Sequence, residues 1–448
     1  MARSTNRRCV RWLEGQLPEL VSSGLLTPDA AQAMQRHYQS SETRSNLGFV
    51  LLAAVGSALI GAGIILLVAH NWDDLSRPVR SIIAFLPLIL AQLLAIFVLW
   101  RRDESQAWRE SVAIFDVAAV GTAISLISQT YQIQGSFADF LLVWLLLSIP
   151  IVYVFRSTLG AAAYIIGTVV WLLNKGAWSY NRPGEMFFWA LLLLVLPYYA
   201  VMLRRDRTTH AFKTLSILLV LAVTIGLGVT VDFVKTDLES IAFAGFFTAT
   251  YLWGMTLEDD EGRSLNVLSV LGAIGLGITA VVLSFDHTWH FRAMLDWSAI
   301  GLEGWAGIAI QLLFPVLAIL LAGWTYWKRK KIPYSIAAAA MPLVAILAWM
   351  IANLAPAMDR SSATQYSRGA SILFNAYALV LGIELLARGI RVGSIARTNF
   401  GLLIIAALAL ARFFDSDLSF VTRGVGFIAV GAGFLIANII FFRKRVPA

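Results

Sequence analysis

The chain has 448 residues, of which 58% are hydrophobic and only 14% charged. A soluble domain carries roughly 25% charge, so this chain has too little polar material to coat a water-facing surface, and lipid must be its outer solvent. The net charge of +8 comes from short Lys and Arg clusters between apolar runs, which fits membrane anchors and not a nucleic-acid surface. The single cysteine, Cys9, excludes an intrachain disulfide and a cysteine-based metal site.

Residues 1–46 read as a small cytoplasmic helical hairpin. Trp12, Leu13, Leu17, Leu20 and Val21 recur at helical spacing, and Gly24 is a stop signal. Thr27-Pro28-Asp29 then starts a second helix, with Thr27 as N-cap and Pro28 in the first turn. Ala30, Ala33, Met34 and His37 mark its expected apolar face. So short a hairpin needs a packing partner, either the membrane body or another protein. No cleavable signal peptide is visible, because the first apolar run starts near Leu47 after a polar stretch too long for an n-region.

From Leu47 onward the sequence predicts an all-α polytopic transmembrane bundle of about fourteen spans over residues 47–448. The apolar runs are 47–69, 79–100, 111–130, 138–155, 157–174, 185–203, 213–232, 239–256, 265–285, 305–327, 333–353, 368–387, 398–414 and 420–442. Most approach the roughly 20 residues that a span requires. The weakest division is between 138–155 and 157–174, which only Arg156 and Ser157 separate. With both termini inside, 25 of the 35 Lys and Arg fall on the inner side, counting Lys213 at the head of its run. The positive-inside rule is thus obeyed with an even span count. Small residues four apart, Ala53, Ser57 and Gly61 and again Ala429, Gly433 and Ala437, predict close helix packing.

The turn after the first run, His70-Asn71-Trp72-Asp73-Asp74-Leu75-Ser76-Arg77-Pro78-Val79-Arg80, is the densest polar cluster in the first half. Trp72 suits an interfacial anchor, and Asp74 or Ser76 can cap a helix with Pro78 in its first turn. His70, Asn71, Asp73, Arg77 and Arg80 exceed what a plain turn needs, so a capped loop with local ion pairs stands beside an outward-facing binding loop. Asp417-Leu418-Ser419 with Arg423 repeats the Asp-Leu-Ser-x-x-x-Arg pattern of residues 74–80. The match is either a trace of duplication or two uses of the same helix-start chemistry.

Gly61-Ala62-Gly63 leading into Val68-Ala69-His70-Asn71-Trp72-Asp73-Asp74-Leu75-Ser76 resembles the hallmark of a bacterial membrane-protein family, domain of unknown function 2157. The opening with Gly24-Leu25-Leu26 is similar to that family's usual start. Ser128-Gln129-Thr130-Tyr131-Gln132-Ile133-Gln134-Gly135 and the closing Arg412-Phe413-Phe414-Asp415 with Asn438 resemble further stretches of it. The likeness covers roughly residues 10–150 and implies a multi-pass protein of the bacterial cytoplasmic membrane. It implies no reaction.

Ionisable groups within spans are the functional candidates. Asp116 lies about two turns into its span with no cation three or four residues away. It needs a partner from another helix, a proton or a wet cavity. Gln129 and Tyr131 end that span, and with Asp116 they form the candidate coupling or cavity set. Glu384 has Arg388 at i+4, and Arg412 has Asp415 at i+3, which are structural pairings. Asn174, Asn353, Asn375 and Asn438 suit hydrogen bonds between helices. His287 and His290 are three apart, but a loop of undefined shape does not make them a metal site, and no metal or cofactor is expected. There is no phosphate-binding glycine loop, His-Glu-x-x-His or Gly-x-Ser-x-Gly, so nothing points to soluble-type catalysis.

A transporter or permease for a small molecule or lipid is the leading expectation, with Pro87, Pro150, Pro197, Pro315 and Pro342 as interruptions of its spans. The alternative is a non-transporting sensor, scaffold or partner subunit that uses residues 1–46 and the 70–80 loop. A central cavity lined by Asp116, Gln129 and Asn375 marks the first; a bundle packed dry throughout marks the second. The topology itself is testable by cysteine labelling in a Cys9→Ser background. Ser76→Cys and Ser264→Cys are expected to react from opposite sides of the membrane, and labelling from one side overturns the count.

Overall fold

A computed structural model describes residues 16–39, 72, 74–176, 186–205, 207, 209–234, 237–258, 266–289, 301–328, 336–353 and 360–413, with isolated positions beyond 420. The chain divides into two compact units, Met1–Arg80 and Ser81–Ala448. Among the described residues there is no strand.

In the first unit residues 16–22 are helical and end at Gly24, whose φ of +73° is the left-handed conformation that glycine adopts without penalty. Helix α1 (Pro28–Gln39) follows, and the Ala30 N–H donates to Thr27 Oγ1 at 3.3 Å, which is the cap the sequence predicts. The buried residues are Leu17 and Ala31, whereas Ala33 and Met34 are exposed. The expected apolar face is therefore displaced: a hairpin this short buries only one narrow stripe, and Ala31 carries it. Further on, the Arg80 guanidinium lies over the Trp72 ring, 5.9 Å from its centroid, and its Nε donates to the Leu75 carbonyl at 2.9 Å. His70, Asn71 and Asp73 lie outside the described residues, as does the run 47–69.

Twelve helices follow the expected runs in order. They are α2 (Arg77–Arg101), α3 (Gln106–Tyr131), α4 (Phe137–Phe155), α5 (Thr158–Gly176), α6 (Phe187–Arg205) and α7 (His210–Val234). After them come α8 (Glu239–Thr256), α9 (Val267–Val282), α10 (Leu302–Lys328), α11 (Ile336–Asn353), α12 (Arg360–Val392) and α13 (Ile395–Phe413). The run 420–442 lies mostly outside the described residues. Ten of these helices are long and apolar enough to cross a membrane; α8 and the sixteen-residue α9 fall outside that set. Leucines and phenylalanines such as Leu86, Leu93, Leu193 and Leu320 stand exposed on the outer faces, as a lipid solvent demands.

Arg156 and Ser157, the thinnest separation in the sequence, make a sharp turn. Arg156 adopts φ 49°, and its N–H meets the Tyr153 carbonyl. The Glu110 carboxylate of α3 then accepts from Ser157 Oγ and from the Thr158 and Leu159 N–H groups, both at 2.9 Å. A carboxylate on the first N–H groups of a helix satisfies orphan donors and the helix dipole together. The device recurs. Glu384 of α12 accepts from the Ile336 and Ala337 N–H groups that open α11, at 2.8 and 2.7 Å. The expected Glu384–Arg388 pair is not made, because the carboxylate is used on α11. Arg388 is buried, and its Nε and Nη1 have no hydrogen-bond partner among the described residues.

The buried apolar residues form four clusters along the chain. Ala95, Val98, Val112, Ala113 and Val117 join α2 to α3, while Leu145, Ile165, Phe188, Leu191 and Leu215 join α4 to α7. In the second half α8 is the central helix, packed by α7, α9, α10 and α11. Its crossing with α9 is set by glycines: a methyl on Gly272 would overlap the Tyr251 backbone, and one on Gly254 the Ser269 backbone. Replacing Gly272 by Val is expected to cost at least the ~1–3 kcal/mol typical of overpacking. Gly323→Val, which meets open space, is the control. Thermal melting in detergent distinguishes them, and equal melting temperatures would refute the close-approach assignment.

Candidate functional site

Helices α2, α3 and α4 enclose a cleft of about 1130 Å³, slightly above the roughly 300–1,000 Å³ of ordinary ligand pockets. Phe85, Leu88 and Gln92 come from α2; Val120, Ile124, Ser125, Ser128 and Gln129 come from α3; Phe137, Asp139, Phe140, Val143 and Leu147 come from α4. The link Gln132-Ile133-Gln134-Gly135-Ser136 forms one end. Local chemistry shapes that end. Gln132 closes α3 in the left-handed conformation, and the Ile133 N–H reaches the Ser128 carbonyl at 2.9 Å. Ser136 and Asp139 then form a reciprocal capping box at the start of α4. The Asp139 N–H donates to Ser136 Oγ at 3.2 Å, and the Ser136 N–H and Oγ donate to Asp139 Oδ2 at 3.0 and 2.8 Å. Beneath the cleft Trp144 packs over Gly121, and its Nε1–H donates to the Val117 carbonyl at 2.7 Å, which fixes the α3–α4 spacing.

Asp116 sits behind the α3 wall, 2% exposed. It has a partner from another helix: Gln92 Nε2 donates to Asp116 Oδ1 at 2.9 Å. Gln92 also lines the cleft, so one amide touches both the cleft and the buried carboxylate. Gln129 lines the polar end. Tyr131 does not line the cleft; its hydroxyl lies 3.1 Å from Ser81 Oγ and ties the end of α3 to α2. Sequence reasoning missed Gln92, although an amide midway along an apolar run was its available signal.

Asn375 is not among the described residues that line the cleft with Gln129. Asn375 Nδ2 donates to the Ser284 carbonyl at 3.0 Å and to the Ser371 carbonyl at 2.8 Å. Arg412 Nη2 donates to the same Ser284 carbonyl at 3.1 Å, and its guanidinium stacks on Phe285 at 4.7 Å. Asp415, its expected partner, lies outside the described residues. Asn375 thus ties α12 to the turn after α9, whereas Asn174 and Asn353 turn back onto their own helices at Val170 and Trp349. His290 is outside the described residues, and no cluster of potential metal ligands occurs among the described ones.

A second polar cluster lies between α8, α9 and α13. Glu258 accepts from Ser269 Oγ and pairs with Arg397, and the Asn266 N–H reaches it at 3.3 Å. It borders a cavity of only about 120 Å³, with Tyr251, Met255 and Phe400. The pair clamps α13 onto the end of α8. Removing one partner strands a buried charge, at a cost of about 3–5 kcal/mol. Arg397→Leu is therefore expected to lower the melting temperature more than Glu258→Gln combined with Arg397→Leu; the reverse order would refute the clamp.

Long apolar helices with lipid-facing outer surfaces and a polar-ended cleft define a polytopic α-helical membrane protein. Residues 18–161 match the model of the family described as predicted membrane protein, DUF2157. The match agrees with the resemblance read over roughly residues 10–150, and the described lining residues of the cleft, from Phe85 to Leu147, lie within it. The closing stretch Arg412–Asp415 lies beyond it. No curated protein and no solved structure matches the chain.

Proposed function

We propose that the protein is a transporter of the bacterial cytoplasmic membrane, that its substrate enters the α2–α4 cleft and that Asp116 is the coupling group. One observation carries this reading: Gln92 lines the cleft and donates to buried Asp116. A buried carboxylate charge is tolerated only where donors compensate it. A substrate that draws the Gln92 amide into the cleft removes a donor from Asp116, so substrate occupancy and proton occupancy are linked, and linkage of this kind is reciprocal. Asp116 lies near the middle of α3. Asp116 is thirteen residues from Gln129, or about 20 Å at 1.5 Å per residue. Coupling sites of transporters lie near that depth.

The second reading, a non-transporting sensor or partner subunit acting through residues 1–46, draws on the other half of the bundle. There α8 has thirteen buried positions within a close-packed apolar core.

The test is flux in proteoliposomes under an imposed pH gradient, with a fluorescent short-chain lipid analogue as probe. The wild-type chain is expected to move the probe faster when the gradient is applied. Asp116→Asn is expected to abolish that dependence, and Gln92→Leu to reduce it about tenfold. Unchanged gradient-driven flux in Asp116→Asn would remove Asp116 as the coupling residue. Absence of flux in the wild type would favour the sensor.

A further inference from the structure

The cleft has two chemically distinct ends. Its polar end carries the amides of Gln129, Gln132 and Gln134 and the hydroxyls of Ser125 and Ser128. None of those three amides takes part in a side-chain hydrogen bond among the described residues. Each offers two donors and one carbonyl acceptor. Among the described residues no Lys, Arg or His lines the cleft, and Asp139 is the one ionisable residue that does. One oxygen of that carboxylate is engaged in the capping box with Ser136. Phe137 is exposed beside these amides and stacks on Phe140, with centroids 5.8 Å apart.

The walls below are apolar: Leu88 of α2, Val120 and Ile124 of α3, and Val143 and Leu147 of α4. From Phe137 to Leu147 is ten residues of helix, about 15 Å. That is half of a hydrocarbon core of roughly 30 Å, the depth of one leaflet.

We propose that the cleft binds a membrane lipid with an uncharged, hydroxyl-rich headgroup, such as a glycosyl diacylglycerol. The proposal rests on the carrier reading above and names its substrate class. Amides and hydroxyls pair with sugar hydroxyls as both donor and acceptor, and an exposed phenyl face packs against the C–H face of a sugar ring. A phosphate headgroup would meet no cation among the described lining residues and would lie near the Asp139 carboxylate. The leaflet-deep apolar walls hold acyl chains, which a free sugar lacks.

The test is binding to the purified, delipidated full-length chain, read by native mass spectrometry in detergent. The probes are glucosyl diacylglycerol, phosphatidylglycerol, phosphatidylethanolamine and maltose. Glucosyl diacylglycerol is expected to bind at least tenfold more tightly than either phospholipid, and maltose not to bind detectably. Gln129→Leu with Gln134→Leu is expected to erase the preference while the melting temperature is kept, and Gln129→Asn to retain most of it. Equal binding of the three lipids, a preference for either phospholipid, or maltose binding at the glycolipid's affinity would overturn the proposal. Selective glycolipid binding without flux would sink the carrier reading alone. Gradient-driven flux without headgroup preference would sink this one alone.

Discussion

A helix that begins inside a bundle presents N–H groups that neither water nor lipid can satisfy. This chain meets that constraint with carboxylates reaching across from neighbouring helices. Glu110 closes the start of α5, Glu384 the start of α11, and Glu258 the approach to α9. On the alternation expected from the sequence, all three starts lie at one end of the bundle. Each carboxylate fixes a distance between two helices as well as a helix terminus, because it can reach those N–H groups only when the pair is in register. Hydrogen bonds to charged groups are worth about 1.5–3 kcal/mol each. The apolar cores then pack within a frame already set at one end.

That frame holds two halves of different character. Around α8, crossings as close as Gly272 on Tyr251 leave no room for a side chain, and Glu258 is engaged by Ser269 and Arg397. Around α2–α4 the polar groups are unspent: three glutamine amides face a cleft, and a fourth is shared with Asp116. Dry packing gives rigidity, and an open cleft with unused donors gives a ligand somewhere to bind.

The helices were legible because hydropathy is a property of contiguous residues. All twelve described helices of the bundle overlap predicted runs, down to the two-residue break at Arg156 and Ser157. Thr27 was legible as a cap for the same local reason. The partners were not. Glu258 and Arg397 are 139 residues apart, and Glu110 meets Leu159 across a whole intervening helix. Local spacing even misled at Glu384, where Arg388 at i+4 offered a pairing that the backbone of α11 outbids. Asp116 was found because charge in a span is conspicuous; Gln92, its partner, was passed over because a neutral amide is not. Asn375 was placed with Asp116 only because both are polar, and the fold uses it at Ser284 instead.

Helix α2 shows what the two halves imply together. It is the least buried of the ten apolar spans among the described residues. It meets α3 near Ala95 and Val98 toward one end and through Ser81 and Tyr131 toward the other. Between those attachments the cleft separates the helices, and the side-chain hydrogen bond that crosses the gap is Gln92 to Asp116. A ligand that competes for that amide therefore acts on the tether of the least-packed helix and on the buried carboxylate in the same step. No relay through the rigid half is needed. On the proposed function, occupancy of the cleft, the position of α2 and the charge state of Asp116 form one local equilibrium, with the close-packed half as the fixed body against which it works.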